Sequence, residues 1–204
     1  MARKTKAEAA RTKLRILKSA LDLFVAKGYE RTTLEDVAER IGLSKGAVYW
    51  HFKSKPDLLT ELVVNMTRMH TEEQGRVLSE PSSLEELRLH FVHRADLILQ
   101  NPVNRKFFRM MTRLDWSASK FAPVKCRIRQ LENNIFAVIE RTLEKLQRCG
   151  EVKKDVDVAM TTAILGAMWL GLIKVRTDQC LETDLVKTVA AGFDMVIASI
   201  QTRP

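Results

Sequence analysis

The chain is poor in cysteine, glycine and proline: 204 residues include 3 Cys, 8 Gly and 5 Pro. Cys126, Cys149 and Cys180 are odd in number, far apart and form no C-x-x-C pair. That argues against a disulfide framework or a zinc knuckle and suits a reducing cytoplasm. They read as small apolar packing residues. With so few breakers and no sustained alternation of apolar and polar residues, strands are not expected. Long hydrophobic runs are missing too. The longest uncharged apolar stretch, Ala163 to Ile173, is too short to span a bilayer. The basic start Met-Ala-Arg-Lys-Thr-Lys leads into Ala-Glu-Ala-Ala-Arg-Thr-Lys, not into the apolar run of a signal peptide. The expectation is a soluble, cytoplasmic protein with no membrane contact.

Charge is present and uneven. Residues 1–56 hold 13 Lys/Arg and 6 Asp/Glu, while residues 57–204 hold 21 and 19. Most of the +9 formal charge therefore sits at one end. Such a bias points to a polyanionic partner for that end. The hydrophobic fraction of 46% is enough for a real core.

Apolar spacing is helical almost throughout, so the fold class expected is all-α, with about nine helices in total. The first runs from about Thr5 to Lys27, with a stripe of Leu14, Ile16, Leu17, Ala20, Leu21, Phe24 and Val25, and Gly28 ends it. A second follows the Thr32/Thr33 cap and ends near Gly42. A third starts after Ser44 and ends by Lys53. A fourth begins at Ser54-Lys55-Pro56 and reaches about Leu78. Glu80-Pro81-Ser82-Ser83 reads as a loop. Further helices are expected near Leu84–Leu99, Pro102–Trp116, Phe121–Arg148, Val156–Arg176 and Leu181–Gln201. The last two are apolar on more than one face and need a second surface to cover them. Two such helices from each of two chains would make a four-helix interface, so a homodimer through the last two helices is expected.

The second and third helices carry the chemistry. Two short helices joined by a tight turn form a wedge whose second member can enter the major groove of duplex DNA. Leu34, Val37, Ala38, Ile41, Leu43 and Val48 can lock the pair, and Gly42 occupies the turn. Ser44, Lys45, Gly46, Tyr49 and His51 remain for the outward face. Ser44 can cap the third helix, Lys45 can reach a guanine edge or a phosphate, and Gly46 permits close approach. Gly46 also weakens its helix by roughly 1 kcal/mol relative to alanine. Thr32 or Thr33, Tyr49, His51, Lys53 and Lys55 suit phosphate clamping, which sets register, and Arg3, Lys4 and Lys6 could track DNA as an arm. Trp50 and Phe52 are expected to pack inward and seat the wedge on the first and fourth helices.

From Arg11 to Leu62 the residues resemble the DNA-binding domain of TetR-family transcriptional regulators. The resemblance rests on Ile16-Leu17, Ala20, Leu23-Phe24, Gly28-Tyr29, Thr32-Thr33, Val37-Ala38, Gly42-Leu43-Ser44-Lys45-Gly46, Val48-Tyr49-Trp50-His51-Phe52, Lys53-Ser54-Lys55 and Leu58-Leu59. The opening Ala2-Arg3-Lys4-Thr5-Lys6 and Tyr49-Trp50-His51-Phe52 are most similar to the AcrR-type multidrug-efflux repressors. The resemblance covers about a quarter of the chain. It implies a helix-turn-helix DNA-binding domain at residues 1–55 and a helical ligand-binding and dimerisation domain at 56–204. It further implies a repressor released from a palindromic DNA operator by a small hydrophobic effector. The body matches only in length and helical texture, so the effector's identity does not carry over.

Other constellations fall away. His90 and His93 have a metal-compatible spacing, but no Cys or carboxylate pattern completes a site. Gly166 and Gly171 are separated as in a P-loop, but Leu172 stands where the lysine belongs. No nucleophile elbow or recognisable catalytic carboxylate pair is found, so no catalytic residue, metal or cofactor is expected. Phe107, Met111, Trp116, Phe136 and Trp169 are candidates to line an adaptable apolar pocket, with Arg94, Asp96 and Arg109 as polar contacts. The competing function is a helical carrier of lipid or hydrophobic metabolite with a vestigial DNA-binding head. A small helical enzyme is a third reading.

Overall fold

The computed structural model describes residues 6–75, 81–130, 135–177 and 182–202. Regular structure among them is helical apart from a single bridge between Val152 and Gln201. Ten α-helices follow in order: α1 (Lys6–Lys27), α2 (Leu34–Arg40), α3 (Lys45–His51), α4 (Lys55–Gly75), α5 (Leu84–Gln100), α6 (Pro102–Arg113), α7 (Ala122–Arg129), α8 (Ile135–Arg148), α9 (Val158–Thr177) and α10 (Leu185–Ile200). A 3-10 turn at Ser119–Phe121 precedes α7. The all-α expectation holds. The count rises from nine to ten because the segment expected as one helix over Phe121–Arg148 is two, α7 and α8. The helix expected to reach Trp116 stops at Arg113.

Two compact units emerge. The first contains residues 1–68 and 113–130. Its core is built from Ile16, Leu17, Ala20, Leu21 and Phe24 of α1, Val37 and Ala38 of α2, Val48 of α3 and Leu58, Leu59, Leu62 and Met66 of α4, all buried. Full burial of one such leucine contributes about 1.5–3 kcal/mol, so this apolar set outweighs the exposed ion pairs around it. Leu14, counted above with the α1 stripe, is half exposed and off that core. Phe121 joins the same unit by packing on Tyr29, ring centroids 5.2 Å apart.

The second unit contains residues 69–112 and 131–204. There α5 packs on α10, and α9 lies against both α8 and α10. Phe91 sits at the centre, stacked on Phe193 at 4.8 Å and edge-on to Trp169 at 5.1 Å. Outside the core, Arg88 forks onto Asp194, with Nε 2.5 Å from Oδ1 and Nη2 3.2 Å from Oδ2. The C-terminal end of α10 is tied down by the Lys153 amide donating to the Ile200 carbonyl and the Thr202 amide donating to the Glu151 carbonyl.

By length and composition alone α9 is apolar enough to cross a membrane, so the shorter run read from the sequence understated it. One face of α9 is buried at Leu165, Trp169 and Ile173, while Met160, Ile164 and Leu170 on the other are exposed. Met195 of α10 is 76% exposed.

Candidate nucleic-acid interface and body cavity

The wedge is set by caps and one turn. Thr33 caps α2: its hydroxyl accepts from the Asp36 amide at 3.1 Å, and its own amide donates to the Asp36 carboxylate at 2.7 Å. Lys27 lies 2.6 Å from that carboxylate, and the two interactions pull the Asp36 pKa down to about 2. Gly42 has φ 66°, a left-handed value that favours glycine, and turns the chain out of α2. Ser44 then caps α3 by accepting from the Ala47 amide at 3.2 Å. Val48 and the following Phe52 are fully buried and anchor α3.

The opposite face of α3 meets solvent. Lys45, Gly46 and Tyr49 are exposed there, with Ser44 at its start. A methyl group at Gly46 would meet nothing within 4 Å, so packing inside the chain does not require glycine at this position. Trp50 shares the face and is 74% exposed. The expectation that Trp50 packs inward is therefore wrong, whereas that for Phe52 is right. The signal was available: Trp50 stands one helical turn after Gly46, and Phe52 one turn after Val48. Glu35 of α2 reaches this face, with Oε1 2.5 Å from Lys45 Nζ and 3.2 Å from the Tyr49 hydroxyl. The Lys45 hydrogen bond leads in holding the Glu35 carboxyl below its usual range, and Glu35 in turn raises the Lys45 pKa.

Other residues assigned to DNA divide. Arg3 and Lys4 lie outside the described residues; Lys6 is exposed at the first residue of α1. Thr33 is exposed, but Thr32 is buried and donates its hydroxyl to the Gly28 carbonyl at 2.8 Å. A phosphate contact from the Thr32 side chain is thereby excluded. His51 is half-buried, with its ring 4.6 Å from that of Trp50. Lys55 is spent locally. Its ammonium donates to the Tyr29 and Glu30 carbonyls, each at 2.9 Å, and lies 4.5 Å from the centre of the Tyr29 ring. Partial burial lowers the Lys55 pKa, and burial with the nearby Glu30 charge pushes the Tyr29 phenol up to about 12. Lys55 is thus a structural tie between the first turn of α4 and the loop after α1, which corrects its reading as a phosphate clamp.

The five apolar pocket candidates do not converge. Trp116 belongs to the first unit, where it packs against Phe121 at 5.4 Å. Trp169 and Phe107 are buried, Trp169 in the central cluster around Phe91. Phe136 covers Gly166 so closely that a side chain there would collide with its ring. Met111 is half-buried on α6. None of them lines the cavity of about 510 Å³ that opens between the end of α5, α6, the end of α9 and the start of α10. Of the polar candidates, Arg109 does line it.

A model of bacterial regulatory proteins of the tetR family matches residues 16–62. The HTH-type transcriptional regulator TtgR of Pseudomonas putida is 41% identical over 209 residues, spanning 96% of this chain and 96% of that protein. The HTH-type transcriptional regulator AcrR of Shigella flexneri is 31% identical over 159 residues, covering 75% of this chain and 71% of that protein. Among solved structures, the SmeT–triclosan complex matches with a TM-score of 0.80 at 26% identity, covering 94% of this chain and 92% of that one. SmeT is the repressor of the Stenotrophomonas maltophilia multidrug efflux pump SmeDEF.

Proposed function

Because the chain belongs to the tetR family of bacterial regulatory proteins and is a DNA-binding transcriptional regulator, we propose that it is a homodimeric repressor whose α3 reads an operator half-site. The observation that carries this reading is the outward face of α3, where Lys45, Gly46, Tyr49 and Trp50 stand beside the Ser44 cap. Lys45 and Tyr49 supply donors for bases and phosphates, and Gly46 lets the helix backbone approach. The first unit, which holds α3, forms the reading head in this account, and the second unit receives the effector and the second subunit. The exposed apolar side chains of α9 and α10 support dimerisation through those helices: Met160, Ile164 and Leu170 with Met195.

Two heads on a symmetric dimer fit two half-sites about one helical turn apart, so the operator is palindromic. A small effector with apolar character, held in the second unit, favours a head spacing that misfits. Moving nearly all of the protein off the operator requires the effector to prefer the misfit state by about 5.5 kcal/mol. The complex of SmeT with triclosan and the regulators among the relatives support a receptor, not a reaction site. A bacterial regulator acting on DNA works in the cytoplasm, which supports that location for this chain.

The test is selection of bound duplexes from a genomic pool, followed by titration of the selected duplex with Lys45→Ala and Tyr49→Ala. A repeated half-site, lost binding by roughly ten-fold or more in each variant, and unchanged dimer mass in light scattering are expected. Equal affinity for the selected and a random duplex removes the proposal.

A further inference from the structure

The cavity of the second unit is unusual in its charge. Arg105, Lys106, Arg109 and Arg176 line it together with an apolar wall that includes Ile98 and Ile173, and among the described residues no carboxylate lines it. Arg176 has an ordinary explanation, because it lies in the last turn of α9, where the helix dipole favours a cation. Arg105 and Lys106 do not. They fall near the start of α6, where the dipole opposes positive charge, and the first turn of that helix contains no acid. The fold nevertheless holds Arg105 in place, since its guanidinium donates to the Leu99 carbonyl at the end of α5. Arg109, one turn further along α6, is half-buried, as is Arg176, and neither has a carboxylate partner among the described residues.

Cations of one sign around a concave, partly apolar surface focus a positive field into it. A half-buried guanidinium also has fixed donors that match a carboxylate two at a time. The apolar wall asks for a hydrocarbon partner, and a cavity of about 510 Å³ has the size of a small-molecule site. We propose that this cavity receives an amphipathic organic anion, with its carboxylate against Arg109 and Arg176 and its tail along Ile98 and Ile173. The inference rests on the reading of the second unit as the effector-binding part and gives that effector a charge.

The test uses the full chain and three probes with the same hydrocarbon tail, decanoate, decanol and decyltrimethylammonium, each titrated calorimetrically below its micelle concentration. Decanoate is expected to bind roughly ten-fold more tightly than decanol, and the ammonium to bind least. The Arg109→Gln/Arg176→Gln double variant is expected to lose that preference while keeping its affinity for decanol and for random duplex. Arg109→Lys/Arg176→Lys, which retains the charge, is expected to keep part of it. Binding of decanol or the ammonium as tight as decanoate overturns the proposal, as does binding of none of the three. A decanoate preference that survives in the Gln variant overturns it too, because the anion is then held elsewhere, as on the basic head. Labelled operator in the same titrations separates the two readings. Decanoate that binds in an Arg109/Arg176-dependent way without releasing DNA supports the anion site and refutes the effector role. Release by decanol or the ammonium, with no decanoate binding, refutes the anion site and leaves the effector role standing.

Discussion

Glu35 holds Lys45 across the turn between α2 and α3, with 2.5 Å separating Oε1 from Nζ. The same oxygen accepts from the Tyr49 hydroxyl. A phosphate approaching α3 therefore competes with a carboxylate already in place. In Glu35→Gln the competitor loses its charge. Affinity for random duplex is expected to rise roughly two- to five-fold at low salt, and the margin for the selected operator to shrink, because Lys45 is less well oriented. Fluorescence anisotropy at matched ionic strength checks this; unchanged binding to both duplexes refutes it.

Gly46 separates stability from binding. A methyl group there meets no neighbouring side chain within 4 Å among the described residues, and alanine is the better helix former by roughly 1 kcal/mol. Gly46→Ala should raise the urea midpoint and weaken operator binding. A variant that is both more stable and equally tight would show that the backbone does not come close to DNA at this point.

Trp50 offers a direct optical reporter. Its ring is exposed and makes an edge contact with His51. Trp50→Ala should leave the unfolding midpoint unchanged within roughly 0.5 kcal/mol, as for an exposed site, while weakening operator binding. In the native chain, titration with operator should change the emission more than in Trp50→Phe. Equal emission changes in the two proteins would take Trp50 out of the interface.

His90 sets an acid limit. It is buried, neither ring nitrogen has a hydrogen-bond partner among the described residues, and burial first, then the charges of Arg94 and His93, push its pKa down to about 4. Above pH 6.5 the ring is neutral in both folded and unfolded chains, and its contribution is fully present. As pH falls from 6.5 to 4 the unfolded chain takes up a proton that the folded one refuses, and stability drops by up to about 3 kcal/mol. His90→Leu should flatten that part of the curve. Urea unfolding at pH 7.5, 5.5 and 4.5 measures the slope, and an identical slope in both proteins rules out His90 as its source.

The head was more legible than the body because its determinants are local. Thr33 and Ser44 announce caps by their type and position, and Gly42 announces a turn, so the wedge follows from a short stretch of chain. Thr32 and Lys55 were misread because their partners, the carbonyls of Gly28, Tyr29 and Glu30, are set by the folded path and leave no mark in side-chain pattern. Trp50 was misread by residue type when helical register already placed it outward. In the body, aromatic content drew attention to Trp169 and Phe107, which are buried. The cavity's cations went largely unnoticed, since arginines on an amphipathic helix resemble an ordinary solvated face. Their convergence needs the end of α9 brought up to α6, a tertiary fact.

Lys55 has a mechanical consequence. Its bonds to the Tyr29 and Glu30 carbonyls, with Leu58, Leu59, Leu62 and Met66 sunk into the same core, weld the opening turns of α4 to the head. Movement of the α3 wedge therefore carries those turns of α4 along as one piece, because packed side chains and the Lys55 bonds bridge the break between the two helices.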